Sequence, residues 1–305
     1  MARRIALAFV LLTLFVTACG DSKEDAAGTA ESASPSFPMT LQSSDGTSIT
    51  LNAAPQRIVS LSSAATETLC ALGAGPQLVA VEKFENCPSG SSSKPALDAF
   101  MPDIEAIVAQ RPDLVFTNYN PPGFVEALRR IQVPVLFLDV PTNIAGVYDD
   151  IELMGRVTGR SEKATDLVKS MREKQDAIVK KVGSGSGPRV YHELDTMYFS
   201  VGPGSFVGDF YKQLRAANIV TASDGDYPQL SAEVIIQRNP QVIVLADEEA
   251  GITAATVKQR PGWSVIDAVR NDRICAIDAD IISRPGPRVV EALEDLAECI
   301  YPEKF

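Results

Sequence analysis

The sequence predicts an α/β protein of two lobes joined by a single long helix, and three observations predict it. Apolar strand-like runs alternate with short helical segments over residues 55–138 and again over 188–300, the rhythm of parallel sheets covered by helices. Between these stretches the rhythm stops. Residues 161–182 place Ala164, Leu167, Val168, Met171, Ile178 and Val179 at helical spacing, and a glycine-serine run closes the segment at 183–187. At 1.5 Å per residue that helix is roughly 33 Å long. Finally, the halves echo one another. Glu105 and Glu233, 128 residues apart, each lie near the start of a short helix, seven residues before a proline (Pro112, Pro240) that leads into an apolar strand.

Taken in order, residues 39–51 alternate on both sides of Asp45-Gly46, a hairpin signal. Residues 55–61 read as a buried strand, 64–72 as a helix closed by Gly73, and 78–81 as a second strand. A helix over 104–110 stops before Pro112, then come strand 114–116, helix 123–130 and strand 133–138. Helix 145–157 ends at Gly159, and the long helix follows. Beyond Pro188 we expect strand 189–194, helix 205–214, helix 232–238, strand 242–246, a helical stretch 263–269, strand 273–277 and a final helix 289–300. Each half opens on a proline-arginine strand, at Pro55-Gln-Arg57 and at Pro188-Arg189.

Composition narrows the function. A formal charge of -11 argues against a nucleic-acid partner, which needs a basic surface. One histidine, His192, leaves little for zinc or manganese binding, which recruits several imidazoles. There is no G-x-S-x-G elbow, P-loop or C-x-x-C pair, so no enzymatic activity is expected. His192, in a predicted strand, reads as a structural residue, and Trp263 as core. The run Gly202-Pro-Gly204-Ser205-Phe-Val-Gly208 is one residue too long for a dinucleotide loop and reads as a turn with Ser205 as a helix N-cap.

The N-terminus sets the compartment. Arg3-Arg4, the 12-residue apolar run IALAFVLLTLFV and Thr17-Ala18 form a signal peptide over residues 1–18, too short to span a bilayer. Residues 16–20 resemble a bacterial lipobox, which makes Cys19 the lipidated first residue of the mature chain. Small, polar and acidic residues over 19–38 form a flexible tether that cannot fold alone. The expected location is therefore extracytoplasmic, anchored to the membrane by lipid. Four further cysteines (Cys70, Cys87, Cys275, Cys299) allow three full pairings, with 70–87 and 275–299 the options near in sequence. The expected divisions are an N-terminal lobe 39–142, connecting helices 143–187 and a C-terminal lobe 188–305.

Four pieces of sequence then act together: Arg57-Ile-Val-Ser-Leu-Ser-Ser-Ala-Ala-Thr-Glu67 with Leu72-Gly73, Glu105 to Asp113, Glu233 to Pro240, and Arg284-Pro-Gly-Pro-Arg288. With the lipobox and the long helix, this ordered set resembles the substrate-binding lipoproteins of ABC importers for vitamin B12, haem and iron-siderophores. The resemblance covers about residues 37–301. It implies the class III periplasmic-binding-protein fold, two Rossmann-like lobes joined by one long helix. It implies a monomer without cofactor that binds a small molecule and docks on ABC importer permease subunits. It also implies that Glu105 and Glu233, one per lobe, pair with permease arginines, a use that suits separated carboxylates on a rigid body.

Ligands of open α/β sheets gather beyond the strand C-termini. The residues placed there are Phe84, Phe100, Asn118, Tyr119, Tyr198, Phe199, Tyr227, Asp280 and Arg284, aromatic walls with a few polar hooks. By resemblance, Asn118 stands where corrinoid binders carry an aromatic, with Tyr119 beside it as substitute. The segments Tyr198 to Phe206 and Tyr227-Pro-Gln resemble the corrinoid branch, which makes a cobalamin-type ligand the first expectation and a ferric siderophore or haem the alternatives. The long helix is expected to permit only modest closure of the lobes.

Overall fold

The computed structural model describes residues 37–84, 87, 94–247 and 250–305, which belong to one compact unit. The expected signal peptide, Cys19 and most of the tether lie outside the described residues. Among those described, no helix is long and apolar enough to cross a membrane.

The chain opens with the antiparallel hairpin β1 (Met39–Gln42) and β2 (Ser48–Leu51), in which Met39 faces Leu51. Asp45 shapes its turn by accepting the backbone N–H of Thr47 at 3.1 Å. The N-terminal lobe follows as β3 (Ile58–Leu61), α1 (Ser63–Ala71), β4 (Leu78–Glu82), β5 (Ala96–Leu97), α2 (Ile104–Ala109), β6 (Leu114–Thr117), α3 (Phe124–Arg130) and β7 (Val135–Phe137). Its five strands are parallel, in the order β5-β4-β3-β6-β7. The central strands β3 and β6 are buried along their whole length, which explains why they read as continuous rather than alternating apolar runs.

Two helices connect the lobes, α4 (Ile144–Thr158) and α5 (Ser161–Val182). The C-terminal lobe comprises β8 (Arg189–Glu193), α6 (Phe206–Gln213), β9 (Ala217–Asn218), α7 (Ala232–Arg238), β10 (Val242–Leu245), α8 (Ala254–Lys258), α9 (Asp267–Arg270), β11 (Ile274–Ala276), α10 (Ala279–Ile282) and α11 (Val289–Ile300). Its strands are also parallel, in the order β11-β10-β8-β9. The stretch 263–269 divides into a 3₁₀ turn at Trp263–Val265 and α9, because Ile266 between them is extended.

The 22-residue helix α5 has the expected bounds, but it does not stand alone. It folds back along α4 through a turn at Gly159, whose φ of +73° suits glycine, and it packs against α11. Gly155 makes the close crossing possible, since a Cβ there would lie 2.4 Å from Ala164 Cβ. Helix α4 in turn touches α1 of one lobe and α6 of the other. Leu69, Ile151, Val168, Phe210 and Leu293 accordingly share one apolar core that runs through both lobes. Smaller cores cover the outer sheet faces, around Ile107 and Val125 in the first lobe and around Ile235 and Trp263 in the second.

Both sequence-near disulfides form, Cys70–Cys87 and Cys275–Cys299. His192 is fully buried with Nδ1 2.6 Å from the Tyr211 hydroxyl, and burial pushes its pKa down to about 3, so it is a neutral structural residue. Ser205 caps α6 by accepting the Gly208 N–H at 3.0 Å, as the turn reading expects.

Candidate functional site

The repeated motif is a structural device. In the first lobe Asp113 accepts the backbone N–H groups of Gln56 and Arg57, at 2.7 and 2.9 Å. The Arg57 side chain then donates to the carbonyls of Gln110 and Arg111 at the end of α2. In the second lobe Gln241 accepts the Arg189 N–H at 3.0 Å, and the Arg189 side chain donates to the Asn239 carbonyl at the end of α7. An arginine at the start of each lobe thus fixes a short helix, satisfying carbonyls that have no helical partner. The front of each helix is capped by Asp103 or Ser231, and Glu105 and Glu233 stand exposed in the first turn. Hydrogen bonds from its own backbone N–H and from Ser231 hold the Glu233 carboxyl below its usual range.

Between the lobes lies a cleft of about 450 Å³. The first lobe contributes Leu61 at the end of β3 and 62–64 after it, Glu82 and Phe84 at the end of β4, Ala99 and Phe100 beyond β5, and Asn118 after β6. The second contributes Ala279, Asp280 and 283–285. The site therefore sits beyond the strand C-termini, where the sheet order reverses around β3. Phe84 and Phe100 are 61% and 63% exposed, far more than packing alone would leave such rings. Tyr119 extends that wall, its ring 5.5 Å from Phe100. Five expected residues thus meet in the cleft (Phe84, Phe100, Asn118, Asp280, Arg284), with Tyr119 at their margin.

The expectation differs from the structure at three aromatics. Tyr198, Phe199 and Tyr227 are not among the residues lining this cleft. Tyr198, partly buried, packs on Trp263 and under the Arg260 guanidinium, against the second lobe's outer core. Phe199 bridges to Gln229, and Tyr227 lies in the turn tied to the 202–204 loop through Gly202 N–H and the Asp226 carbonyl, at 2.7 Å. The corresponding reversal in the second sheet, between β8 and β10, is filled from within. There Arg260 donates to both oxygens of the fully buried Glu193, at 2.6 and 2.5 Å, beside Asp247. Burial and the Glu193 charge push the Asp247 pKa up to about 6.

Arg284, expected as a ligand hook, is only 8% exposed and is committed mainly to the protein. It donates to the Phe84 carbonyl of the opposite lobe at 3.2 Å and to Asp280, and it lies 3.8 Å from Glu67 on α1. Arg288 donates to Glu67 through its backbone N–H at 3.3 Å and its guanidinium at 2.9 Å. An ionic cluster therefore ties the two quoted motifs, one ending in Glu67 and the other running from Arg284 to Arg288, across the floor of the cleft. Below it, Asp150 on α4 faces a small cavity lined by Ser62, Thr68, Asn118 and Pro285. Burial, with a minor contribution from Asp149, pushes its pKa up to about 7.

Two lobes of parallel sheet around one cleft, joined by a packed helical pair, define a two-lobed solute-binding protein. The chain belongs to the periplasmic binding protein family, which it matches over residues 58–281. It is 29% identical to the uncharacterised ABC transporter substrate-binding lipoprotein YvrC of Bacillus subtilis, over 98% of this chain and 96% of that protein. It is 30% identical to the cobalamin-binding protein of Halobacterium salinarum, over 87% of this chain and 75% of that protein. Among solved structures, a possible iron-binding (periplasmic solute-binding) protein from Staphylococcus epidermidis superimposes with a TM-score of 0.74 at 28% identity, covering 82% of this chain and all of that one.

Proposed function

We propose that this chain is the extracytoplasmic receptor of an ABC importer, held to the membrane by a lipid on Cys19, and that its ligand is a corrinoid of the vitamin B12 type. It binds and delivers its ligand without transforming it. In this reading residues 39–142 and 188–305 are the lobes, 143–187 the connector, and Glu105 and Glu233 the contacts to permease arginines. The observation that carries the reading is the exposed aromatic wall of Phe84, Phe100 and Tyr119 facing Asp280 and Arg284 across one cleft, a surface suited to a large flat ligand with polar edges. The cobalamin-binding relative supports the choice of ligand. A ferric siderophore is the second reading, supported by the structural neighbour described as possibly iron-binding, with haem a third.

Titration calorimetry of the mature chain against cyanocobalamin, a ferric hydroxamate, a ferric catecholate and haem tests the assignment. Saturable one-to-one binding of cyanocobalamin at micromolar concentration or below is expected. Failure of cyanocobalamin while a siderophore or haem binds would overturn it.

A further inference from the structure

The cleft holds one carboxylate whose valences the protein leaves incomplete. Glu82 ends β4 and is 3% exposed. Its Oε2 accepts the Ser63 hydroxyl at 2.5 Å and the Phe84 backbone N–H at 2.9 Å. Its Oε1 is buried with no hydrogen-bond partner, and no lysine or arginine among the described residues pairs with it. Of the neighbouring cations, Lys83 pairs with Asp98, and Arg284 donates through Nη2 to Asp280 and the Phe84 carbonyl, while its Nη1, 3.8 Å from Glu67, is buried without a hydrogen-bond partner and does not reach Glu82. A buried carboxylate normally keeps a cation or a full set of donors. Glu82 also lines the ligand cleft beside Phe84 and opposite Arg284, so the missing donor has a place to come from.

We propose that Glu82 is a specificity residue of the cleft: its free oxygen accepts a hydrogen bond from an amide N–H of a neutral ligand and rejects ligands that present a carboxylate at that point. The inference rests on the corrinoid reading for the ligand, since corrinoids carry primary carboxamides around the ring whereas haem carries propionates. Rejection follows from charge, because a second carboxylate against a buried one meets repulsion and leaves both without a donor.

The test is a cycle with Glu82→Gln, which keeps size and an acceptor for Ser63 and Phe84 but presents a donor in place of the free acceptor. Wild type and variant are titrated with cyanocobalamin and with its monocarboxylic derivatives, in which one peripheral amide has become an acid. Unchanged thermal midpoints establish that both fold. Wild type is expected to lose at least tenfold in affinity between cyanocobalamin and one monoacid isomer, and Glu82→Gln to weaken cyanocobalamin at least tenfold while narrowing or reversing that loss. If Glu82→Gln holds cyanocobalamin within twofold of wild type, or the monoacids bind both proteins alike, the role of Glu82 is overturned and the corrinoid reading stands. If wild type binds no corrinoid, the corrinoid reading fails. Glu82 is then judged on the ligand that does bind, and preference for haem over every neutral ligand overturns it as well.

Discussion

Asp150→Asn tests the effect of burying a carboxylate in the connector. Asp150 lies on the connecting helix α4 against the small cavity beside the cleft, and burial raises its pKa from 3.8 to about 7. A raised carboxyl binds its proton more tightly in the folded than in the unfolded chain. Its contribution is favourable at low pH, declines as pH climbs from about 4 to 7, and is flat above that range. At about 1.36 kcal/mol per pH unit, the interval from 3.8 to about 7 corresponds to about 4 kcal/mol of stability lost by pH 8. Asparagine has nearly the same shape and no charge to bury. Urea denaturation at pH 5, 6, 7 and 8 should show wild type losing stability across this range and Asp150→Asn losing less, with the variant about 2–4 kcal/mol the more stable at pH 8. Parallel stability curves for the two proteins would refute the argument, because they would mean that Asp150 titrates alike in both states.

Other perturbations probe separate elements. Arg260→Leu leaves Glu193 buried without its cation and should cost about 3–5 kcal/mol by urea denaturation; a loss below 1 kcal/mol would mean that the pair contributes little. Glu67→Gln removes the charge shared by Arg284 and Arg288 and should cost about 2 kcal/mol. It should also speed ligand release in stopped-flow measurements, whereas an unchanged off-rate would confine the cluster to stability. Glu105→Ala with Glu233→Ala should abolish uptake in reconstituted importer while ligand affinity by calorimetry stays within twofold; an equal loss of affinity would remove both residues from the docking surface.

The long elements were readable because each carries its own punctuation. Helix α5 runs to the glycine at 183, and α6 and α7 begin after serine caps at Ser205 and Ser231. The two-residue strands β5 and β9 left no such trace, since pairing with an existing sheet edge, rather than side-chain pattern, creates them. In the site, Phe84 follows β4, a strand legible in the sequence, so strand direction sufficed to place it, whereas Phe100 follows the unannounced β5 and was placed by resemblance alone. Tyr198 and Tyr227 also follow strands or turns, but the second lobe fills its own crevice with Arg260 and Glu193, and no local pattern announces that. Glu82 was overlooked because an acidic residue closing the run Leu-Val-Ala-Val-Glu resembles the first residue of a solvated turn. Its position at the end of a buried strand beside the central one was the available signal. Asp150 had one too, three residues after buried Val147 and one before buried Ile151 on the inward side of α4.

The repetition of Arg57 with Glu105 by Arg189 with Glu233 invites a view of the halves as interchangeable parts. The shared interior argues otherwise. Leu41 from the opening hairpin and Leu293 from the last helix belong to the same apolar cluster, knitted together by α4 and α5. A chain divided after residue 183 would give two fragments, each with an oily face and no cover for it. Grafts that exchange one half between relatives will have to carry the packing of α11 on α5 with them. In this molecule the halves are alike without being independent.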